Sequence, residues 1–236
     1  MERTLIELNG VVVESLGRTR LEGCSLTVRT GEILGVIGGS GTGKSTLLEV
    51  LAGRLGVQRG NILHSGRDIT RNLKVLKDKA ALVGHQLDGP YDVSPKNWLQ
   101  LWAELDGVPE ADRKKRIASA SSRFGVDMSV PSVRALSRGQ QRRLSIARAW
   151  SRRPEFLILD QPGDVLDGEG LRLLSGSLKT VVSGGTTIVF ADASPQLPLS
   201  ICDRVVALDS GRVVGELSRG DENFEQGIAG FQGWLD

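Results

Sequence analysis

The most informative segment of this chain is Gly38-Gly39-Ser40-Gly41-Thr42-Gly43-Lys44-Ser45-Thr46. The apolar run Ile33–Ile37 precedes it, and the largely apolar run Leu47–Leu51 follows it. Strand, glycine-rich turn and helix therefore follow one another, which is the context that a phosphate-binding P-loop requires. An ordinary glycine-rich turn is the alternative, but such a turn has no need of a lysine and a serine at these places.

Each residue type in this segment has a physical task. Glycines lack a Cβ, so the backbone can curl and direct its N–H groups at phosphate oxygens. The helix that begins near Lys44 adds the positive end of its dipole. Lys44 can reach the β- and γ-phosphates as a mobile charge, and Ser45 offers a hydroxyl to Mg²⁺.

Bulk composition narrows the class of protein. The 236 residues are 39% apolar and 25% charged, which is typical of a folded globular chain. The net charge of +2 gives no support to nucleic-acid binding, so no nucleic-acid partner is expected. We interpret the basic pairs Arg142-Arg143 and Arg152-Arg153, and the run 113–116, as solvated helix faces.

Membrane-spanning and export signals are not evident in the sequence. No apolar run approaches the roughly 20 residues that cross a bilayer, and the first residues do not resemble a signal peptide. We therefore expect a cytoplasmic protein that reaches a membrane only through a partner.

Alternating apolar strands and amphipathic helices predict an α/β fold with a mainly parallel sheet. Helical spacing across residues 94–125 predicts a helical insert. An arginine-rich helix is expected at 140–152, and a further helix is expected at 169–182. Asn9-Gly10 and Thr30-Gly31 are typical turn pairs. The predicted strands are Leu5–Leu8, Val11–Ser15, Cys24–Val28, Ile33–Ile37, Asn61–His64, Ala80–Val83, Phe156–Leu159, Thr187–Phe190 and Val205–Leu208.

Two further segments carry chemistry. Asp160 follows the uninterrupted apolar strand Phe156–Leu159, where a carboxylate can hold Mg²⁺ beside phosphates. Residues 136–140 form a small polar turn that opens a helix, and its N–H groups and the Ser137 hydroxyl predict an anion site. The alternative is a plain capping box of Ser137 and Gln140.

Together these motifs resemble the nucleotide-binding subunit of an ABC transporter, over nearly the whole chain. Segments 91–94 and 102–109 resemble most the subunits that serve ABC-2-type exporters. Residues 38–46 resemble the Walker A motif, Gln86 matches the Q-loop glutamine, and residues 136–140 resemble the signature motif. Residues 156–160 resemble the Walker B motif, and residues 165–167 resemble the D-loop.

The resemblance implies one P-loop NTPase domain of ABC type over residues 1–236. Its RecA-like core would comprise about 1–90 and 153–220, with an antiparallel N-terminal β-subdomain, a helical subdomain at 91–152 and a tail at 221–236. ATP and Mg²⁺ would be the ligands, with Ser45, Gln86 and Asp160 at the metal.

The implied partners are a membrane permease and a second nucleotide-binding subunit, identical or different, on the inner face of the cell membrane. In this family two subunits pair head to tail, so Ser137, Gly139 and Gln140 would contact the ATP of the other subunit.

Four positions depart from the family pattern. Gln161 stands where the family has the glutamate that acts as general base, and an amide cannot accept a proton at neutral pH. Ala193 stands where the switch histidine is expected, and Leu16 where an aromatic residue stacks on adenine. Arg138 replaces a signature glycine, which implies either backbone strain or an added positive charge.

Slow ATP hydrolysis at this chain's own site is therefore expected. An engineered trap, natural degeneration and an alignment slip at Ala193 are the three explanations left open. Two other functions remain: a soluble ABC-type ATPase of repair or translation, and a regulatory nucleotide sensor that does not hydrolyse ATP.

Overall fold

The computed structural model describes residues 3–15 and 17–232. Two sheets and a group of helices form the fold. The strands are β1 Thr4–Ser15, β2 Arg18–Arg29, β3 Ile33–Ile37, β4 Arg59–His64, β5 Arg67–Asp68, β6 Ala80–Val83, β7 Phe156–Asp160, β8 Thr187–Ala191, β9 Arg204–Asp209 and β10 Arg212–Ser218. The helices are α1 Lys44–Leu51, α2 Lys74–Lys79, α3 Pro95–Leu105, α4 Glu110–Arg123, α5 Arg138–Ser151, α6 Gly168–Ser183, α7 Gln196–Ile201 and α8 Phe224–Gln232, with a 3₁₀ turn at Val133–Ala135.

The larger sheet has six strands in the order β10-β9-β3-β8-β7-β6. Its first five strands in chain order, β3, β6, β7, β8 and β9, pair in parallel, and β10 adds an antiparallel edge. All five residues of β3 and of β8 are buried, because helices or the second sheet cover both faces. The prediction of a mainly parallel sheet is confirmed.

The smaller sheet has the order β2-β1-β4-β5 and is antiparallel. Here one sequence prediction is wrong: β1 does not turn at Asn9-Gly10 but continues from Thr4 to Ser15. Gly10 has a positive φ of 58°, and the β1–β2 register shifts between Leu8 and Val11. The pair therefore forms a bulge, because β2 and β4 flank β1 on both sides and hold it extended.

The helices predicted within residues 94–125 are confirmed as α3 and α4, and the arginine-rich helix is confirmed as α5. Ser94 caps α3 by accepting the Asn97 N–H, and Pro95 occupies the first turn. Trp98 is almost fully buried, whereas Leu101 and Leu105 are 41% and 65% exposed. Arg148 of α5 lies 3.4 Å above the Trp102 ring, so a cation–π contact joins α5 to α3.

None of the helices in residues 3–15 and 17–232 combines the length and the apolar character that a bilayer crossing needs.

Candidate functional site

The predicted motifs meet at one edge of the large sheet. β6, β7, β8 and β3 are successive neighbours in parallel register, so their carboxyl ends lie side by side. From these ends extend the loop after β6 with Gln86, the pair Asp160–Gln161, the turn with Ala193, and the segment 38–46. Ligands of open α/β sheets bind at this edge.

The glycine-rich segment is packed so closely that two of its glycines cannot be replaced without movement. A Cβ on Gly38 would lie 2.2 Å from the Leu208 carbonyl oxygen, and one on Gly43 would lie 2.6 Å from the Arg20 carbonyl oxygen. Gly43 also has φ 107° and directly precedes α1. The loop between β3 and α1 therefore has the curled backbone that the sequence predicts, with Ser40 and Gly41 on its exposed side.

Lys44 is buried at the start of α1 and points back over the loop. Its Nζ donates hydrogen bonds to the carbonyl oxygens of Gly38 and Gly39, each at 2.6 Å. Burial lowers the pKa of Lys44, and the negative charges of Asp160 and Asp192 act in the opposite direction. The ammonium group therefore lies within the curled glycine loop, which we call the cradle, and the charges of Asp160 and Asp192 stabilise its protonated form.

The predicted metal ligands of this cradle fit a hard cation. Ser45 is exposed beside the buried lysine, and Asp160 is partly exposed at the end of β7. A hydroxyl and a carboxylate are the oxygen donors that Mg²⁺ prefers, and a cradle without Cβ atoms suits its accompanying phosphates. Leu16, the predicted adenine contact, lies outside the described residues.

Gln161 follows Asp160 in a constrained backbone. Its φ is 49°, in the left-handed region, and its N–H donates to the Ala191 carbonyl oxygen at 2.8 Å. The side chain is half-buried. The backbone hydrogen bond thus holds Gln161 at the sheet edge, directly after β7.

Ala193 lies exposed in the turn after β8, directly after the buried Asp192. Asp192 Oδ1 accepts the Ser194 N–H at 3.0 Å. Its Oδ2 is buried and has no hydrogen-bond partner among the described residues, and a Cβ on Gly163 would lie 2.9 Å from it. Burial raises the pKa of the Asp192 carboxyl, since desolvation outweighs the backbone N–H groups that lower it.

The raised pKa of Asp192 predicts how the free energy of unfolding depends on pH. A raised pKa means that the folded state holds the proton more tightly, so the contribution of Asp192 to stability is present below the ordinary value of 3.8 and is lost as pH rises through the folded pKa. The free energy of unfolding of the wild type, relative to Asp192→Asn, should therefore fall from about pH 4 upward, in urea titrations. A difference that rises with pH would contradict the assignment.

Gln86 is exposed on the loop that follows β6. That loop is held by Arg142 of α5, whose guanidinium donates to the carbonyl oxygens of Gly84, at 2.5 Å, and His85, at 3.1 Å. Arg142 is only 6% exposed, so its prediction as part of a solvated face is wrong. Sequence reasoning missed this residue, although Arg142, Ile146 and Ala149 share one buried helical face.

The segment 136–140 begins α5 and forms the capping box that the sequence allowed as an alternative. Ser137 Oγ accepts the Gln140 N–H at 3.2 Å, and Gln140 Oε1 accepts the Ser137 N–H at 2.9 Å. Gly139 lies against the 165–167 segment, because a Cβ there would be 3.1 Å from Leu166 Cδ2. Arg138 is exposed and has no left-handed backbone, so the strain alternative for this residue is wrong.

Comparison with known proteins agrees with this arrangement. The family described as ABC transporter matches residues 21–164. The methionine import ATP-binding protein MetN of Rhizobium johnstonii is 35% identical over 202 residues, which are 83% of this chain and 56% of that protein. The daunorubicin resistance ATP-binding protein DrrA3 of Streptomyces coeruleorubidus is 30% identical over 217 residues, covering 92% and 69%.

A solved structure of a related protein has a similar fold. The cbiO1 protein of Clostridium perfringens, described as part of the ABC transporter complex cbiONQ, has a TM-score of 0.84 at 26% identity and covers 97% of this chain and 93% of its own. The fold and the site define a P-loop protein of the ABC ATPase type. This chain belongs to the ABC transporter family. It spans about half the length of the methionine import proteins that it matches.

Proposed function

We propose that this chain is an ATP-binding subunit of an ABC transporter whose own catalytic site turns over slowly. The observation that carries the proposal is a complete phosphate cradle beside an amide. The cradle comprises the curled glycine loop and buried Lys44, and Gln161 occupies the place of a general base. Binding chemistry is thus retained where proton-accepting chemistry is lost.

The roles follow from position. The backbone of Gly38, Gly39, Ser40, Gly41, Thr42, Gly43 and Thr46 surrounds the phosphates, and Lys44 supplies positive charge. Ser45, Gln86 and Asp160 would hold Mg²⁺, which when bound neutralises charge that develops on the phosphates. Gln161 can orient a water but cannot take its proton, and the methyl side chain of Ala193 cannot donate a hydrogen bond.

We further propose a pair of nucleotide-binding subunits and a membrane permease as partners. Ser137, Gly139 and Gln140 lie at the exposed start of α5, where a second subunit could bring its own ATP. The relatives include one named for import and one named for drug resistance. A heterodimer with one competent and one slow site fits the degenerate residues best, and peripheral attachment to the inner face of the membrane follows from the permease. The division into a core, a helical subdomain at 91–152 and a tail is proposed with it.

A nucleotide sensor without turnover is the second candidate. It is favoured by the simultaneous replacement of two catalytic residues, Gln161 and Ala193, in a cradle that is otherwise intact. It differs from the first proposal only in whether hydrolysis contributes to the work of the assembly.

Single-turnover measurement with the purified chain tests the first proposal. With enzyme in excess over Mg-ATP, we expect saturable binding by equilibrium dialysis and slow release of phosphate by rapid quench. An absence of binding would contradict the nucleotide site itself. Fast release by the isolated chain would contradict the impaired site and leave the binding role intact.

A further inference from the structure

A second cavity lies away from the sheet edge that carries the glycine loop. It has a volume of about 440 Å³ and is lined by parts of α4, the end of α5 and the turn after α6. Its walls combine three arginines, Arg116, Arg123 and Arg153, with Trp150 and several hydroxyl groups. This size is within the range of small-molecule sites, which is about 300–1,000 Å³.

The positive charge in this cavity is poorly compensated. No acidic side chain is present among its described lining residues. Asp112 binds Arg116 Nη2 at 2.6 Å and is the one carboxylate paired with the three arginines within the described part of the chain. Three guanidinium groups around one cavity repel one another, so an anion there would lower the electrostatic energy.

Two of the arginines also retain unused donors. The Nε atoms of Arg116 and Arg123 are buried, and neither has a hydrogen-bond partner among the described residues. Arg123 lies over the Trp150 ring, with its Cζ 5.6 Å from the ring centroid, so a cation–π contact joins two of the lining residues. Buried donors without partners are costly, and an anion in the adjacent cavity would lower that cost through its negative charge.

The far wall does not supply the missing acceptors. The last carbonyl groups of α6 are already occupied, because the Gly184 N–H bonds to Thr180 and Val181 oxygens, and the Gly185 N–H bonds to Val182. The hydroxyls of Thr180 and Thr186 donate to the backbone oxygens of Gly176 and Pro154. The compensating negative charge would therefore have to come from an anion in solution.

We propose that this cavity binds a small phosphate-bearing anion of the size class of inorganic pyrophosphate. Planar guanidinium groups match phosphate oxygens by paired hydrogen bonds, which favours this class over a monovalent ion. Because α4 and the end of α5 form one wall and α6 with its following turn forms the other, the bound anion would link these two groups of helices. The site is separate from the nucleotide cradle and does not depend on its proposed role.

Isothermal titration of the full chain with pyrophosphate tests this proposal in a Lys44→Ala background, which removes the lysine of the glycine loop. We expect one binding event that Arg116→Gln together with Arg123→Gln weakens by at least a factor of about ten, since the loss of a single charge-assisted bond already has that effect. Ser119→Trp, an exposed change at the cavity wall, should weaken it equally without altering the arginines. Arg67→Gln, an exposed arginine on β5, should leave it unchanged.

A parallel titration with adenosine monophosphate distinguishes a nucleotide phosphate from a free one. Tighter binding of that nucleotide, lost in the same cavity variants, supports the site and identifies its source of phosphate. Circular dichroism confirms that each variant is folded. The proposal is overturned if the Lys44→Ala chain binds neither anion, or if both cavity variants bind as tightly as their background.

Discussion

Gln161→Glu should raise the single-turnover rate of ATP hydrolysis by about 10²–10⁴-fold, the range that a positioned general base contributes. The substitution keeps the Cβ and the length of the side chain, so it introduces no new conflict at the left-handed φ of 49°. The change is therefore one of proton affinity at a fixed place. Phosphate release measured by rapid quench, with chain in excess of Mg-ATP, provides the rate.

Its control is Gln100→Glu, which makes the same chemical change on an exposed position of α3. That variant should hydrolyse ATP at the rate of the wild type. Adding Ala193→His should increase the rate of the Gln161→Glu chain further, because Ala193 is exposed and can accept a larger side chain. If neither restored residue changes the rate, in the chain or in the assembled complex, the nucleotide-sensor proposal gains and the slow-ATPase proposal fails.

Lys44→Ala should weaken Mg-ATP binding by about 10²-fold or more, since it removes charge-assisted hydrogen bonds to phosphate. In the structure the same Nζ holds two carbonyl oxygens of the loop, so the loop also loses its internal donor. Equilibrium dialysis with labelled ATP measures the affinity, and thermal unfolding separates loss of the site from loss of the fold.

Lys74→Ala provides the matched comparison. Lys74 pairs with Asp78 on the exposed surface of α2, where an ion pair contributes little. Its loss should leave the affinity for Mg-ATP unaltered. Equal affinities for the Lys44→Ala and Lys74→Ala chains would contradict the assignment of the glycine loop as the phosphate site.

The strand–turn–helix order around Lys44 was predictable because glycine, lysine and serine have separate physical tasks at fixed spacing. The parallel sheet was predictable from uninterrupted apolar strands such as Phe156–Leu159, which need cover on both faces. β1 was not predictable as one strand. The Asn9-Gly10 pair favours a turn locally, and only pairing with β2 and β4 extends it.

The candidate site was predictable in its glycine loop and its Asp160, but not in its supporting contacts. Arg142 belongs to an arginine-rich helix, for which solvation is the usual expectation, and its burial depends on the distant carbonyls of Gly84 and His85. No motif in the sequence marks Asp192, because its raised pKa results from burial and its Oδ2 lacks a hydrogen-bond partner among the described residues. Such properties arise from tertiary packing, which no local pattern encodes.

The hydrogen bonds from Arg142 to the backbone just before Gln86 couple the motion of α5 to that of the loop after β6. If α5 tilts, the buried Arg142 guanidinium must pull on the carbonyl oxygens of Gly84 and His85 that it binds. We therefore expect α5 and the loop after β6 to move together. A neighbouring protein that displaces the start of α5 would then also displace Gln86, and a displacement of Gln86 would in turn move the start of α5. Hydrogen exchange of the two segments should accordingly slow or accelerate together.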